Sequence, residues 1–300
     1  ESWFPTLPNG KDTTLGMLLN HSTGIPDHVA TPAFEKALLK SPARDVDYSE
    51  LIAYVLNKKP LFSAGQGYSY ADTNYILAGM IIEKVSGKTL YALIDELILK
   101  PRKLERTIPS NALVLPEVSN GYVNSKPVIV NGRFTINPQW EWAGGGFAST
   151  AEDLSRWAAM LYNGEILAQK SLDEMFKSTT PGEGANYGLG VMMTNSNFGR
   201  AYGHDGEFPG YLSEMRYYPK FHLAVAVMVN LDETSEVEHF VSTAVDDFAG
   251  DIIKELIGRE LSMDQQESLN QLATSWLNLI DTERYAESWK LLGNKLQTKY

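Results

Sequence analysis

Phe62-Ser63-Ala64-Gly65-Gln66-Gly67-Tyr68-Ser69-Tyr70-Ala71-Asp72-Thr73-Asn74-Tyr75 leads straight into an almost wholly apolar run, Ile76 to Val85, that stops at Gly87. Gly65 and Gly67 permit a turn that residues with a Cβ resist, and Tyr68 to Asn74 form a polar knot. Ile76, Leu77, Ala78, Met80, Ile81 and Ile82 leave the following helix little polar face, so it reads as buried on most sides, with Gly87 as its stop. Polar side chains at the mouth of a buried helix are held rigidly. That makes Tyr70-Ala71-Asp72 a place where a site can be built.

Upstream, Thr13 or Thr14 caps a short helix through Leu15, Leu18 and Leu19, and His21-Ser22-Thr23-Gly24-Ile25-Pro26 ends it as a polar turn. Asp47 or Ser49 opens a second helix with Leu51, Ile52, Val55 and Leu56 on its apolar face. Downstream, a helix from Thr89 to Leu99 closes at Lys100-Pro101, and residues 102–148 follow without a sustained period. Phe134, Trp140, Trp142 and Phe147 in that long irregular segment argue for an ordered pocket wall. Ser149-Thr150-Ala151-Glu152-Asp153 then signals the start of a helix that Asn163-Gly164 stops.

Beyond it the period changes to two. Tyr187 to Thr194, Gly210 to Tyr218 and His222 to Asn230 read as strands, the last two as an antiparallel hairpin, and a long helix runs from about Glu236 to Ile257. Helices before, strands in the middle and a helix after imply an α+β layer with a mostly antiparallel sheet. The domain expected over residues 1–260 is followed by a pattern with Leu269, Leu272 and Trp276 on one helical face and Tyr285, Trp289 and Leu292 on another. Residues 261–300 therefore read as a helical hairpin, and the pattern leaves open whether it belongs to the preceding domain or starts an appended module.

Composition excludes several classes of function. With 300 residues, 43% of them apolar, and a mean hydropathy of −0.23, the chain is long enough for a substantial core. No apolar run approaches the roughly 20 residues of a membrane span. A formal net charge of −11 and no Lys/Arg cluster oppose binding to nucleic acid. Cysteine is absent, so disulfides and thiolate chemistry are absent with it. His21, His28, His222 and His239 are scattered without ligand spacing, and Gly144-Gly145-Gly146 lacks the Lys-Ser/Thr of a phosphate loop, so neither a metal nor a cofactor is expected.

Two short motifs carry the candidate chemistry. A tyrosine hydroxyl bonded to cationic neighbours can shuttle a proton, which singles out Tyr70. His204-Asp205-Gly206, just before the strand at Gly210, offers an imidazole and room for a substrate backbone to approach. Each motif alone is a weak signal, as common in turns and caps as in active sites.

Four blocks occur together and in order: Leu18-Leu19-Asn20-His21-Ser22-Thr23-Gly24-Ile25, Gly65 to Tyr75, Gly144 to Leu154, and Gly203-His204-Asp205-Gly206. In order and approximate spacing they resemble the serine β-lactamase and penicillin-binding-protein superfamily. The similarity is strongest to its class C-like branch of D-alanyl-D-alanine carboxypeptidases, D-aminopeptidases and esterases, and covers roughly residues 3 to 255.

The resemblance implies a β-lactamase/transpeptidase-like fold, an antiparallel sheet flanked by helices with a helical subdomain. It also implies acyl transfer through a serine ester, on an ester or a D-amino-acid peptide or amide. By position Tyr70 matches the family's proton-shuttling tyrosine, Asp72 the asparagine of its Tyr-x-Asn, and His204 with Gly206 its His-x-Gly. The backbone N–H of Glu207 is the implied oxyanion donor, with Trp142 and Gly145 on the substrate side. Tyr70 and His204 are then expected to face each other across one cleft. Such proteins work outside the cytoplasm, so a periplasmic or secreted setting is expected.

Three departures stand out. No lysine has a serine three places before it, so the family's Ser-x-x-Lys nucleophile motif is missing. The expectation is a fragment lacking its amino-terminal part, then a front supplied by a separate chain, then a non-catalytic homologue that binds peptidoglycan or a partner. Asp72 replaces asparagine, and an ionised carboxylate accepts but cannot donate, which favours esters or small amides. His204 replaces a fixed lysine charge, which weakens recognition of a substrate carboxylate.

Overall fold

A computed structural model of the chain describes residues 3–177, 186–231 and 235–259. The helical hairpin expected over 261–300 lies outside the described residues. In chain order the first helices are α1 Leu15–Leu19, α2 Pro32–Lys40, α3 Tyr48–Ala53, α4 Asp72–Ser86, α5 Leu90–Ile94 and α6 Lys100–Arg102, with a π turn, Asp95–Leu99, joining the last two. Two-residue strands follow: β1 Ile108–Pro109, β2 Tyr122–Val123, β3 Lys126–Pro127, β4 Ile129–Val130, β5 Arg133–Phe134 and β6 Phe147–Ala148. Then come α7 Ala151–Tyr162, α8 Gln169–Met175, β7 Met192–Ser196, β8 Gly199–Phe208, β9 Tyr211–Tyr218, β10 Leu223–Val229 and α9 Ser235–Arg259. Helices and an antiparallel sheet make the chain α+β, as the pattern of its elements implied.

The chain divides into two compact units. Of the described residues, the first takes those within Glu1–Pro116, Val128–Ala148 and Gly164–Thr194; the second takes those within Glu117–Pro127 and Ser149–Asn163 and those from Asn195 onward.

The first unit is built on α4. Its opening turns are buried through Thr73, Asn74, Ile76, Leu77, Ala78 and Gly79, and pack on α1, α3 and the turn at Trp142. Gly87, at φ 70°, ends the helix as anticipated. Burial on most sides does not extend to its end: Ile82 is 43% exposed and Val85 83%. The neighbours that cover the first half run out there. Thr14 and Asp47 cap α1 and α3 through side-chain oxygens. The irregular stretch is ordered by short antiparallel pairs, β1 with β6 and β4 with β5.

The second unit is an antiparallel sheet in the order β10-β9-β8-β7, with α7 and α9 packed on β9 and β10. Val241, Ala244, Val245, Ala249 and Ile253 of α9 bury against Leu212, Tyr218, Val225 and Val227. On that face Arg216 pairs with Glu214 and, at 2.7 Å, with Asp246. Burial pushes the Glu214 carboxyl up to about 7 even beside that guanidinium. The sequence pattern missed β8: its alternation is obscured by Gly199, Gly203 and Gly206 and by charged side chains on both faces. Strand pairing with β9 overrides that weak local preference.

Candidate active site

In the first unit, the turn after α1 and the turn before α4 are tied together at His21. Its ring is wholly buried and its backbone is left-handed, at φ 58°. The His21 carbonyl accepts the Ser69 N–H at 3.1 Å, and its Nδ1 accepts the Ala71 N–H at 3.2 Å. The Asn74 amide nitrogen lies 3.3 Å from the same Nδ1, while Asn74 Oδ1 accepts the Thr23 hydroxyl at 2.8 Å. His21 thus bonds to the backbone of both residues that flank Tyr70.

Four tyrosines surround the His21 ring. The centroid of Tyr70 is 4.2 Å away, Tyr187 5.0 Å, Tyr75 5.3 Å and Tyr68 6.2 Å. Burial raises the phenol pKa of Tyr75 and of Tyr187 above the usual value, so both stay neutral at ordinary pH. Tyr75 donates to the Leu19 carbonyl at 3.0 Å. Tyr70 is different: 40% of it is exposed, at the mouth of a helix whose next residues are buried. Among the four it is the most exposed ring.

Asp72 opens α4 in the same unit, with its carboxyl over Gly144. Burial first, and the nearby Asp27 charge second, push its pKa up to about 7. The reading of Asp72 as a fixed anion changes accordingly. Near neutrality a large share of it is a carboxylic acid, which donates as well as accepts, as the amide of an asparagine does. Behind it, Thr73 Oγ1 accepts the His28 N–H at 2.8 Å and lies 3.4 Å from Asp27 Oδ1. His28 is buried, and desolvation lowers its pKa to about 4 against the pull of Asp27. Asp27 thus belongs to the surroundings of Asp72.

Trp142, expected as a pocket wall, is a packing residue. Only 1% of it is exposed, because Tyr48 stacks on one face and Gly79 of α4 leaves room for its ring edge. Its left-handed backbone, φ 34°, turns the chain into Gly144-Gly145-Gly146. Gly145 itself is exposed.

In the second unit His204, Gly206 and Glu207 lie within β8, not before a strand as the sequence suggested. The register sets His204 opposite Met215, Gly206 opposite Ser213 and Glu207 opposite Leu212. A Cβ at Gly203 would lie 1.9 Å from the Met215 carbonyl oxygen, so only glycine lets β8 approach β9 there. His204 Nδ1 donates to the Asp205 carbonyl at 2.7 Å, which makes Nε2 the acceptor nitrogen of the neutral ring. Tyr70, Asp72 and Gly145 thus share the first unit, and His204, Gly206 and Glu207 share one strand of the second.

Sequence reasoning missed Tyr187 and the Asp27-His28-Thr73 group. The signal for Tyr187 was its glycine-rich setting, Tyr187-Gly188-Leu189-Gly190, in which Gly190 at φ 71° donates its N–H to the Leu19 carbonyl at 3.0 Å. Among the described residues no group of three or more His, Cys, Asp or Glu is placed to hold a metal ion.

The family model described as Beta-lactamase matches residues 2–249. The chain belongs to the beta-lactamase family. Among solved structures, this beta-lactamase family member is similar to a D-stereospecific amidohydrolase from Streptomyces sp., with a TM-score of 0.68 and 30% identity over 77% of this chain and 73% of that one. It is similar also to the D-amino acid amidase from Ochrobactrum anthropi SV3, with a TM-score of 0.64 and 25% identity over 78% and 69% of the two chains. Penicillin-binding protein 4* of Bacillus subtilis (strain 168) is 26% identical over 266 residues, 82% of this chain and 57% of that protein. The chain spans about half the length of the curated relatives it matches. No helix among the described residues is long and apolar enough to cross a membrane.

Proposed function

We propose that the protein carrying this chain is a serine hydrolase that works through an acyl-enzyme on a D-amino-acid amide or peptide, or on a related ester. The observation that carries the reading is the exposed Tyr70 ring at the entrance to a buried helix, held against a buried imidazole and followed within two residues by Asp72. Tyr70 carries the proton between nucleophile and leaving group. Asp72 in its acid form donates to a substrate carbonyl, and as a carboxylate it holds an ammonium. His204 and Gly206 bound the substrate along β8, and the Glu207 N–H serves the developing oxyanion. Gly145 offers an exposed backbone next to Gly144, the glycine that lies against Asp72. The names of the relatives support a D-amino-acid substrate, since two of the similar structures are a D-stereospecific amidohydrolase and a D-amino acid amidase. A periplasmic or secreted setting suits a penicillin-binding-protein relative.

The reading assigns the nucleophilic serine to no residue of this chain, because none of its lysines has a serine three places before it. The same fact favours a second reading, a homologue that binds peptidoglycan-like peptides or a partner without cleaving them. Treating the natural full-length protein with a fluorophosphonate and mapping the adduct by mass spectrometry separates the two. The hydrolase reading expects one modified serine within a Ser-x-x-Lys, and slower labelling in Tyr70→Phe. An unlabelled protein that still binds a D-alanyl peptide establishes the second reading instead.

A further inference from the structure

We infer that His21 is the positioning residue for Tyr70: its imidazole, with Nδ1 kept as an acceptor, fixes the turn that presents the phenol. The inference deepens the hydrolase reading and rests on it for the role of Tyr70.

Residues on both sides of Tyr70 are bonded to residue 21. Ser69 donates its N–H to the His21 carbonyl, and Ala71 donates its N–H to His21 Nδ1. A third donor, the Asn74 amide, converges on that same Nδ1 and is held in orientation by the Thr23 hydroxyl. Two N–H donors aimed at one ring nitrogen leave no room for a proton there, so the neutral tautomer carries its proton on Nε2. The Tyr70 ring lies 4.2 Å from the imidazole at an angle of 35°, so whatever fixes the imidazole also fixes the phenol. Tyr75 and Tyr187 close on other sides of the imidazole. The left-handed backbone at residue 21 is unfavourable for a histidine and persists because the surrounding bonds over-determine it. None of these contacts reaches a reacting atom directly, so the part played by His21 is geometric.

Histidine, asparagine and phenylalanine separate this role from simple packing. His21→Asn loses the ring but keeps a δ oxygen where Nδ1 accepts, and asparagine tolerates left-handed backbone. His21→Phe keeps an aromatic ring among the tyrosines and loses the acceptor. With 3-fluorotyrosine placed at residue 70 of the whole chain, the inference expects one sharp fluorine resonance in the wild type and in His21→Asn. It expects a broadened or split resonance in His21→Phe. In the full-length protein kcat falls about 10- to 100-fold in His21→Phe with KM little changed, and His21→Asn restores most of the loss. A sharp wild-type-like resonance in His21→Phe, with the asparagine variant perturbed, would show packing alone and overturn the inference. If His21→Phe does not fold, nitrogen-15 imidazole spectra of the wild type decide: a protonated Nδ1 overturns it, and a bare Nδ1 upholds it. The spectra need no catalysis. A protein that labels no serine therefore defeats the hydrolase reading while leaving the placement of Tyr70 by His21 to be judged separately.

Discussion

Tyr48 lies flat on Trp142, with ring centroids 3.9 Å apart and planes within 5° of parallel. The pair closes the first unit under the turn that carries Gly144 and Gly145, with the Trp142 ring buried between α3 and α4. Trp142→Ala removes a large buried ring and should cost about 3–5 kcal/mol of stability, read as a lower urea midpoint. A loss below about 1 kcal/mol would show that the ring is not part of the core.

Gly79 reports on the same packing from the helix side. A Cβ there would come 2.6 Å from the Cβ of Ala143 and 3.1 Å from the Trp142 ring. Alanine at an exposed helical site gains about 1 kcal/mol over glycine. Here the overlap outweighs that gain, because Ala143 has no flexible end to move aside. Gly79→Ala should destabilise by about 1–3 kcal/mol in chemical denaturation.

Asp72 makes both stability and activity depend on pH. Its folded-state pKa, about 7, exceeds the ordinary 3.8, so between those values the folded chain keeps a proton that the unfolded chain has lost. The contribution of this group is therefore fullest below pH 3.8 and declines as pH rises towards 7. In Asp72→Asn that decline should vanish from a series of denaturation curves. For the full-length enzyme, turnover of substrates with an amide side chain should fall as the acid ionises, while Asp72→Asn holds it level. A wild-type profile flat across neutrality would contradict the acid-form role.

His28 acts with the opposite sign. Its pKa drops from 6.5 to about 4 on folding, so the unfolded chain binds the proton first as pH falls. Stability from this group is complete above 6.5 and is lost on the way down to 4. His28→Asn should flatten the acid limb of the stability curve, whatever it does to the plateau. Comparing slopes, not levels, isolates the titration from lost contacts.

Tyr70→Phe removes the proton carrier and leaves the ring on His21. In the full-length protein kcat should fall by about 100- to 10,000-fold with KM within a few-fold of wild type. An equal rate in the phenylalanine variant would remove Tyr70 from the chemistry. His204→Ala should act mainly through KM, because the imidazole is read as bounding the substrate.

Much of the architecture was written in local signals. Thr14, Asp47 and Thr150 cap helices where their side chains suggested, Gly87 stops α4, and the period of two marked β9 and β10. The strand carrying His204 was hidden because its glycines serve a close approach to β9, a tertiary demand with no local signature. The same limit applies to the site. Tyr70 and Asp72 stood out in one short motif, but Asp27 and Tyr187 reach that motif across 45 and 117 residues of chain. The protonation of Asp72 was unreadable for the same reason, since burial, not residue type, sets it.

The interleaving of the two units bears on how the chain leaves the ribosome. Helix α7 precedes β9 and β10, the strands on which it packs, by about fifty and about sixty residues, a delay of roughly 2–12 s at ordinary elongation rates. Through that interval Ala158 and Leu161, wholly or almost wholly covered in the finished protein, have no sheet to settle on. Nascent chains paused inside this window present an adhesive apolar stripe, and holdase chaperones would capture them there in preference to chains released after β10.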